Sequence, residues 1–363
     1  MTEPVPAISE SAVLDALKVV TDPDLGRDIV SLGFVKNLGI ADGAVSFAIE
    51  LTTPACPVKD QMRDEARAAV AALPGVTGVD VQMTASVRSA VAPGGERAPI
   101  PGIRNVIAVG AGKGGVGKTT VAVNVAVALA RYGGRVGMID GDVYGPNLPI
   151  MLGIDAQLSS EGRKIVPAEK HGIRVVSMGF LADGDAPIIW RGPMLHGVVR
   201  QFFQDVRWGE LDYLVVDMPP GTGDVALSLT QTVPVSGAIV VTTPQTVSLA
   251  DSRRAVAMYR KLDVPTLGLI ENMSYFACPA CDQESDIFGR GGGNAVAEEL
   301  GVPFLGQIPL YEPIRVGSDR GTPIVTTEPD SPAARAFVQV AERAAAQVSI
   351  ASYESAAPAA STG

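Results

Sequence analysis

The sequence predicts an α/β protein: a doubly wound, mostly parallel sheet preceded by a small α+β domain. Three observations carry this expectation. From Asn105 onward, short β-branched runs alternate with helical stretches, the pattern of parallel crossovers. The runs are continuously apolar rather than alternating in polarity, which suits strands covered on both faces. A glycine-rich segment, GAGKGGVGKTT, separates the first of these runs from a helical stretch. Ligands of such a sheet gather at the carboxyl ends of its strands.

The elements follow in order. SESAVLDALKVV has helical spacing after a capping Ser9. FVKNLGI and AVSFAIELT read as two strands joined at Ala41-Asp42-Gly43, a hairpin signal. CPVKDQMRDEARAAVAALPG is helical and stops at Leu73-Pro74-Gly75, and VTGVDVQMT is a third strand. These place the small domain within residues 1–90. Residues 91–103 are rich in Pro and Gly and read as a linker. Residues 104–348 hold the larger domain. Its strands are NVIAVGA, RVGMID, IRVVSMG, YLVVDMPP, GAIVVTTP, TLGLIENM and PFLGQIP, and TTVAVNVAVALARYG is its first helix. The end, residues 349–363, SIASYESAAPAASTG, is expected to be disordered.

Composition narrows the function. The chain has 363 residues, 47% hydrophobic and 19% charged, enough to bury a sizeable core in two domains. A net charge of −10 opposes a role in gripping nucleic acid, which needs clustered Lys and Arg. No apolar stretch is long enough to span a bilayer, and MTEPVPAISE is not a secretory signal. Three cysteines do not make a disulfide framework, so a reducing cytoplasm is expected.

The glycine loop fits G-x-x-x-x-G-K-[ST] from Gly112 to Thr119. Gly112, Gly114, Gly115 and Gly117 let backbone N–H groups turn toward phosphate oxygens, and the helix N-terminus adds partial positive charge. Gly112, Lys113, Gly114, Gly115, Val116, Gly117, Lys118, Thr119 and Thr120 are therefore the candidate nucleotide-binding residues. Lys118 is expected on the β- and γ-phosphates of ATP, and the Thr119 hydroxyl on Mg²⁺. Two later strands end in acids: Asp140 and Asp142 after RVGMI, and Asp217 after YLVV. Asp217 fits a carboxylate that holds Mg²⁺ through water. Gly221 to Asp224 would sense the γ-phosphate. Lys113 is an addition to the pattern and, taken alone, could be a solvated loop lysine.

Lys113 to Thr119, however, resembles the deviant phosphate loop of dimeric P-loop ATPases, and the match sharpens to the Mrp family of iron–sulfur carriers. The stretches that carry it are GKGGVGKTT, DGDVYGPNLP, WRGPM, DYLVVDMPPGTGD, ENMSYFACPACDQESDIFG and GQIPLYEPIRVGSDRGTP. The resemblance implies that Lys113 reaches the partner's phosphates across a nucleotide-sandwich homodimer. It also implies that Asp142 positions the attacking water and that Asn272 contacts the adenine. Lys113, Lys118, Asp142 and Asp217 are thus the candidate catalytic residues. In the first domain, DPDLGRDIVSLGFV with LTTPACPV resembles a module of cytosolic iron–sulfur assembly factors. Cys56, at the start of a predicted helix, is there either a metal contact or a small buried residue.

Cys278-Pro-Ala-Cys281 has metal-ligand spacing but supplies only two ligands, where a zinc or a cluster wants four. His171 and His196 do not flank it. A symmetric dimer would supply the other two. The residues alone leave a bridging cluster, a bridging zinc, a redox pair and a structural turn open. The Mrp resemblance implies a bridging [4Fe–4S] cluster, with apo iron–sulfur proteins and cluster assembly factors as partners. The competing classes are a positioning or partition ATPase with a structural zinc, and an electron-transfer reductase. The first would want a basic face for DNA or membrane; the second, as the nitrogenase iron protein resembles it, would space its cysteines far apart.

Overall fold

The computed structural model describes the chain except residues 1–7, 91–98, 143–144, 156–158, 163, 181–196, 198–199, 222–232, 279, 282 and 357–363. Several expected features lie outside the described residues: most of the linker, WRGPM, Thr222 to Asp224, His196 and the last seven residues. Two compact units divide after Arg88.

In the first unit, α1 (Glu10–Leu17) starts on Ser9, whose hydroxyl accepts the Ala12 N–H at 3.2 Å. That satisfies one of the donors a helix start leaves open. The short pair β1 (Thr21–Asp22) and β2 (Arg27–Asp28) follows. Then come β3 (Val35–Ala41), β4 (Ala44–Leu51), α2 (Lys59–Ala71) and β5 (Gly78–Ala85). β3 and β4 are antiparallel across Asp42 (φ 49°) and Gly43 (φ 80°), both in the left-handed region that a two-residue hairpin turn requires. β5 returns parallel to β4 through α2. Leu17, Phe47, Ile49, Met62, Ala66 and Val70 form the core. Cys56 precedes the helix rather than opening it, and is a buried, unbridged thiol.

The second unit begins with β6 (Ile103–Ala111), α3 (Lys118–Arg131), β7 (Val136–Asp140) and α4 (Leu148–Leu152). Next are β8 (Ser159–Glu161), β9 (Lys164–Val166), β10 (Ala168–Lys170), β11 (Ile173–Val176), β12 (Leu211–Asp217) and β13 (Gly237–Thr242). They are followed by α5 (Thr246–Lys261), β14 (Thr266–Ala277), β15 (Glu284–Ser285), α6 (Gly292–Leu300) and β16 (Phe304–Leu310). α7 (Glu312–Arg320), α8 (Ile324–Thr327) and α9 (Pro332–Ala356) complete it.

The sheet runs β10-β11-β7-β12-β6-β13-β14-β15, with β16 also on β14. All neighbours are parallel except β10 with β11 and β14 with β15. β7, β12 and β13 are buried along their whole length, because helices cover both faces. β6 lies between β12 and β13, so the loop after it opens among strand ends on both sides.

One sequence expectation is corrected. The tail expected to be disordered from residue 349 is helical through Ala356. Val348, Ser349 and Ser352 are buried, and the helix packs on α3 and β16. Alanine favours helix, and small residues let α9 lie close to its neighbours without the large apolar side chains that mark a core helix in sequence.

Candidate functional site

The loop between β6 and α3 is closed by what touches it. A Cβ on Gly112 would stand 2.2 Å from the Asp251 carbonyl oxygen of α5, so only glycine fits. Gly117 has φ 76°, and a Cβ there would meet the Asn272 amide nitrogen at 2.3 Å. That amide, buried midway along β14, donates to the Val116 carbonyl at 2.8 Å. Asn272, expected on the adenine, is thus seated on the loop backbone.

Lys118 and Thr119 open α3 and meet Asp217 at the end of β12. Lys118 Nζ lies 2.5 Å from Asp217 Oδ1, and the Thr119 hydroxyl donates to Oδ2 at 2.7 Å. Both partners of the ion pair are buried, at 8% and 1% side-chain exposure, so water does little to screen it. Burial still pushes the Asp217 carboxyl up, with Lys118 and Thr119 pulling against that. The Gly221 N–H donates to the Ala111 carbonyl at 3.1 Å, tying the loop after β12 to the end of β6.

Asp140, at the end of β7, was read only as a strand-end acid. It is 1% exposed and accepts from Asp142 N, Leu148 N and the Ser177 hydroxyl at 3.2, 3.3 and 2.9 Å. Burial first, and then the neighbouring Asp217, push it up to about 7. Asp142 is half-buried, accepts the Gly145 N–H at 3.2 Å, and raises Asp217 in turn. Asp140 and Asp142 thus each couple electrostatically to Asp217, and no group of three converges as a ready metal cage among the described residues. The Thr119 hydroxyl beside Asp217 is the hard oxygen set that fits Mg²⁺ carried in with a nucleotide. Lys113 is half-buried and, among the described residues, has no hydrogen bond or ion pair.

Glu271 was missed. It is fully buried beside Asn272 and accepts from the Gly291 and Gly293 N–H groups at 2.8 and 2.5 Å, the Ser274 hydroxyl at 2.5 Å and Gln307 at 3.1 Å. A carboxylate at the start of α6 satisfies amides that a helix cannot satisfy itself. The signal was the acid in an otherwise apolar strand, GLIENMS.

The cysteines lie elsewhere. β14 and β15 form an antiparallel hairpin in which Phe276 pairs with Ser285, and Cys278 N donates to Gln283 O at 3.1 Å. Cys278 is half-buried and Cys281 exposed at its tip, both unbridged. Ile287 and Phe288 follow, 56% and 38% exposed. Arg290 braces the hairpin, bonding Glu284 at 2.6 Å and stacking over Tyr275 at 4.3 Å. Cys278 lies six positions after Asn272, at most about 20 Å of extended chain. His171 bonds the Leu152 and Gly321 carbonyls instead of approaching the pair.

With this geometry in view, the comparisons are decisive. Residues 102–345 match the model of the NUBPL iron-transfer P-loop NTPase, and residues 10–81 that of an iron–sulfur cluster assembly protein. The chain belongs to the NUBPL iron-transfer P-loop NTPase family. Its relatives agree. An "Iron-sulfur cluster carrier protein" of Synechocystis sp. is 50% identical, over 95% of this chain and 99% of its own. One of Deinococcus radiodurans is 49% identical over 93% and 95%. Among solved structures, a nucleotide-binding protein from Archaeoglobus fulgidus in complex with ADP is 36% identical. It covers 61% of this chain and 88% of its own, with a TM-score of 0.55. Both expectations of fold, the P-loop sheet and the small N-terminal domain, stand. No described helix is long and apolar enough to cross a membrane.

Proposed function

We propose that the chain carries an iron–sulfur cluster as cargo, held by Cys278 and Cys281 together with the same pair of a second copy, and passes it to apo-proteins under control of ATP hydrolysis. The observation that carries this reading is the hairpin. Two thiols stand at an accessible tip, and no third Cys, His or acid joins them among the described residues. A [4Fe–4S] cluster takes four thiolates, and a two-fold axis at the tip brings them. Ile287 and Phe288 give that axis an apolar surface to bury.

The nucleotide site would work from its own side chains. Phosphate oxygens of ATP compete with Asp217 for the Lys118 ammonium, so Lys118 moves from one to the other on binding. Thr119 and, through water, Asp217 would hold Mg²⁺, which neutralises phosphate charge when bound. Asp142 orients the water that attacks the γ-phosphorus; the bond to the β-phosphate oxygen breaks, and ADP and phosphate leave. Lys113, which has no ionic partner among the described residues of its own subunit, reaches the phosphates of the other copy. β14 links the two ends: Asn272 feels the loop, and Cys278 directly follows the last residue of the same strand. A homodimer that tightens on ATP would thus change how far the cluster is exposed.

The test is transfer. Protein loaded anaerobically with iron and sulfide is mixed with an apo acceptor that needs a [4Fe–4S] cluster, and acceptor activity is followed. The native chain should activate it, and the Cys278→Ala, Cys281→Ala chain should not. Activation by the double variant would remove the reading.

A further inference from the structure

We propose that a cavity beside the cysteine hairpin is a binding site for a small polyvalent oxyanion, a phosphate or an oligocarboxylate. The cavity, about 380 Å³, lies between β14, β16 and the start of α9. Arg290, Arg335 and Arg343 line it, with Gln307, Gln339 and Tyr275. No carboxylate is among its described lining residues. Arg290 is already paired with Glu284 at 2.6 Å, but Arg335 and Arg343 have no carboxylate partner among the described residues, and in a chain with 39 acidic and 29 basic residues two such guanidiniums on one cavity are suited to an anion.

The arrangement is built rather than scattered. Arg335, Gln339 and Arg343 recur every four residues, one stripe of α9 turned toward β16. Arg335 donates to the Asp330 carbonyl, and Arg343 to the Leu305 carbonyl at 3.0 Å. Those bonds aim the two side chains without neutralising them. Gly306 on β16 leaves the room: a Cβ there would stand 3.8 Å from the Arg343 Nη1 and 3.2 Å from Val340. Arg290, paired with Glu284, is held from the other side over the Tyr275 ring. Gln307, on the floor, is fixed by its bond to the buried Glu271 carboxylate. Planar guanidinium forks suit carboxylate and phosphate oxygens two at a time. The volume is at the lower end of small-molecule sites, which favours a compact ion over a nucleotide.

The experiment is calorimetry on the full chain saturated with ADP and Mg²⁺, so that the phosphate loop is already occupied. The probes are inorganic phosphate and tricarballylate, against chloride at matched ionic strength. One or both should bind, and which one does identifies the source of the charge. Arg335→Gln, a change at an exposed position, should weaken binding roughly tenfold or more, as loss of a charge-assisted bond does. Gln339→Glu, which puts a negative charge on the same stripe, should abolish it. No binding beyond chloride, or binding unchanged in both variants, would overturn the site.

Discussion

The phosphate loop and the cysteine hairpin sit on the same sheet and are built in opposite ways. The loop is enclosed: Lys118, Asp217, Asp140 and Asn272 are buried and each is hydrogen-bonded. The hairpin projects, with one thiol half-buried, the other exposed, and two exposed apolar residues after it. The loop holds within one chain nearly all it needs to bind a nucleotide. The hairpin holds half of what a cluster needs. A site finished internally suits a regulator that stays, and a half-finished site at a tip suits a cargo that must arrive and leave.

Substitutions break this comparison at different depths. The largest effect is expected at Lys118. Lys118→Ala should lower ATP turnover more than about a hundredfold, as loss of a preorganised phosphate contact does. It should also destabilise the nucleotide-free chain by about 3 kcal/mol at neutral pH, because Asp217 keeps its burial and loses its cation. Turnover measured beside thermal unfolding checks both; an unchanged melting curve would mean that the pair is not buried as described.

Lys113 should behave differently. Lys113→Ala should unfold no more easily than the native chain, since the lysine makes no ionic contact among the described residues, yet should lose ATP turnover by about tenfold or more. Mixing Lys113→Ala chains with Lys118→Ala chains should show which copy it serves, by whether turnover reappears in one of the two active sites.

Asn272→Ala comes next. It removes the strut to Val116, so nucleotide affinity should fall about fivefold, the equivalent of one hydrogen bond of about 1 kcal/mol. Cluster loading should persist. If loading falls as far as affinity does, β14 is a support shared by both sites and not a relay between them.

The smallest effect lies in the first unit, far from either site in sequence. Burial, and then Asp22, push the Asp24 carboxyl from 3.8 up to about 6. Between those values the folded unit keeps a proton that the unfolded chain gives up, so its stability falls as pH rises through that window. Asp24→Asn removes the cost: it should stabilise by about 1 kcal/mol at pH 7.5, allowing for partial exposure, and not at pH 4. Hydrogen exchange of the β3 to β5 amides reads this unit by itself. Both cluster loading and turnover should be untouched.

How much of this was legible in the sequence differs between the same two regions. The phosphate loop is local: strand, glycines and helix are contiguous, and each of their residues types its own backbone. Asp217 was found because it ends an apolar run. The burial of Asp140 was not, because what buries it comes from β12, α4 and Ser177, residues that only the folded sheet brings near. Asn272 was singled out, but its seat on Val116 crosses 156 residues. Glu271 escaped because capping by a side chain from another strand leaves no spacing signal. At the hairpin, the Cys-x-x-Cys was plain, while β15 is two residues long and the brace by Arg290 follows from three-dimensional stacking. The alanine-rich end of α9 showed helix propensity without the apolar stripe by which packing is read.

The central claim is that one cluster is shared by two chains. Its most direct measurement is anaerobic reconstitution followed by metal analysis and native mass on the same sample. The account predicts about four irons and four sulfides per two chains, a dimer that needs both Cys278 and Cys281, and undiminished nucleotide binding when the two are changed to alanine. One zinc per dimer without an iron chromophore, or a full cluster on a single chain, would contradict it.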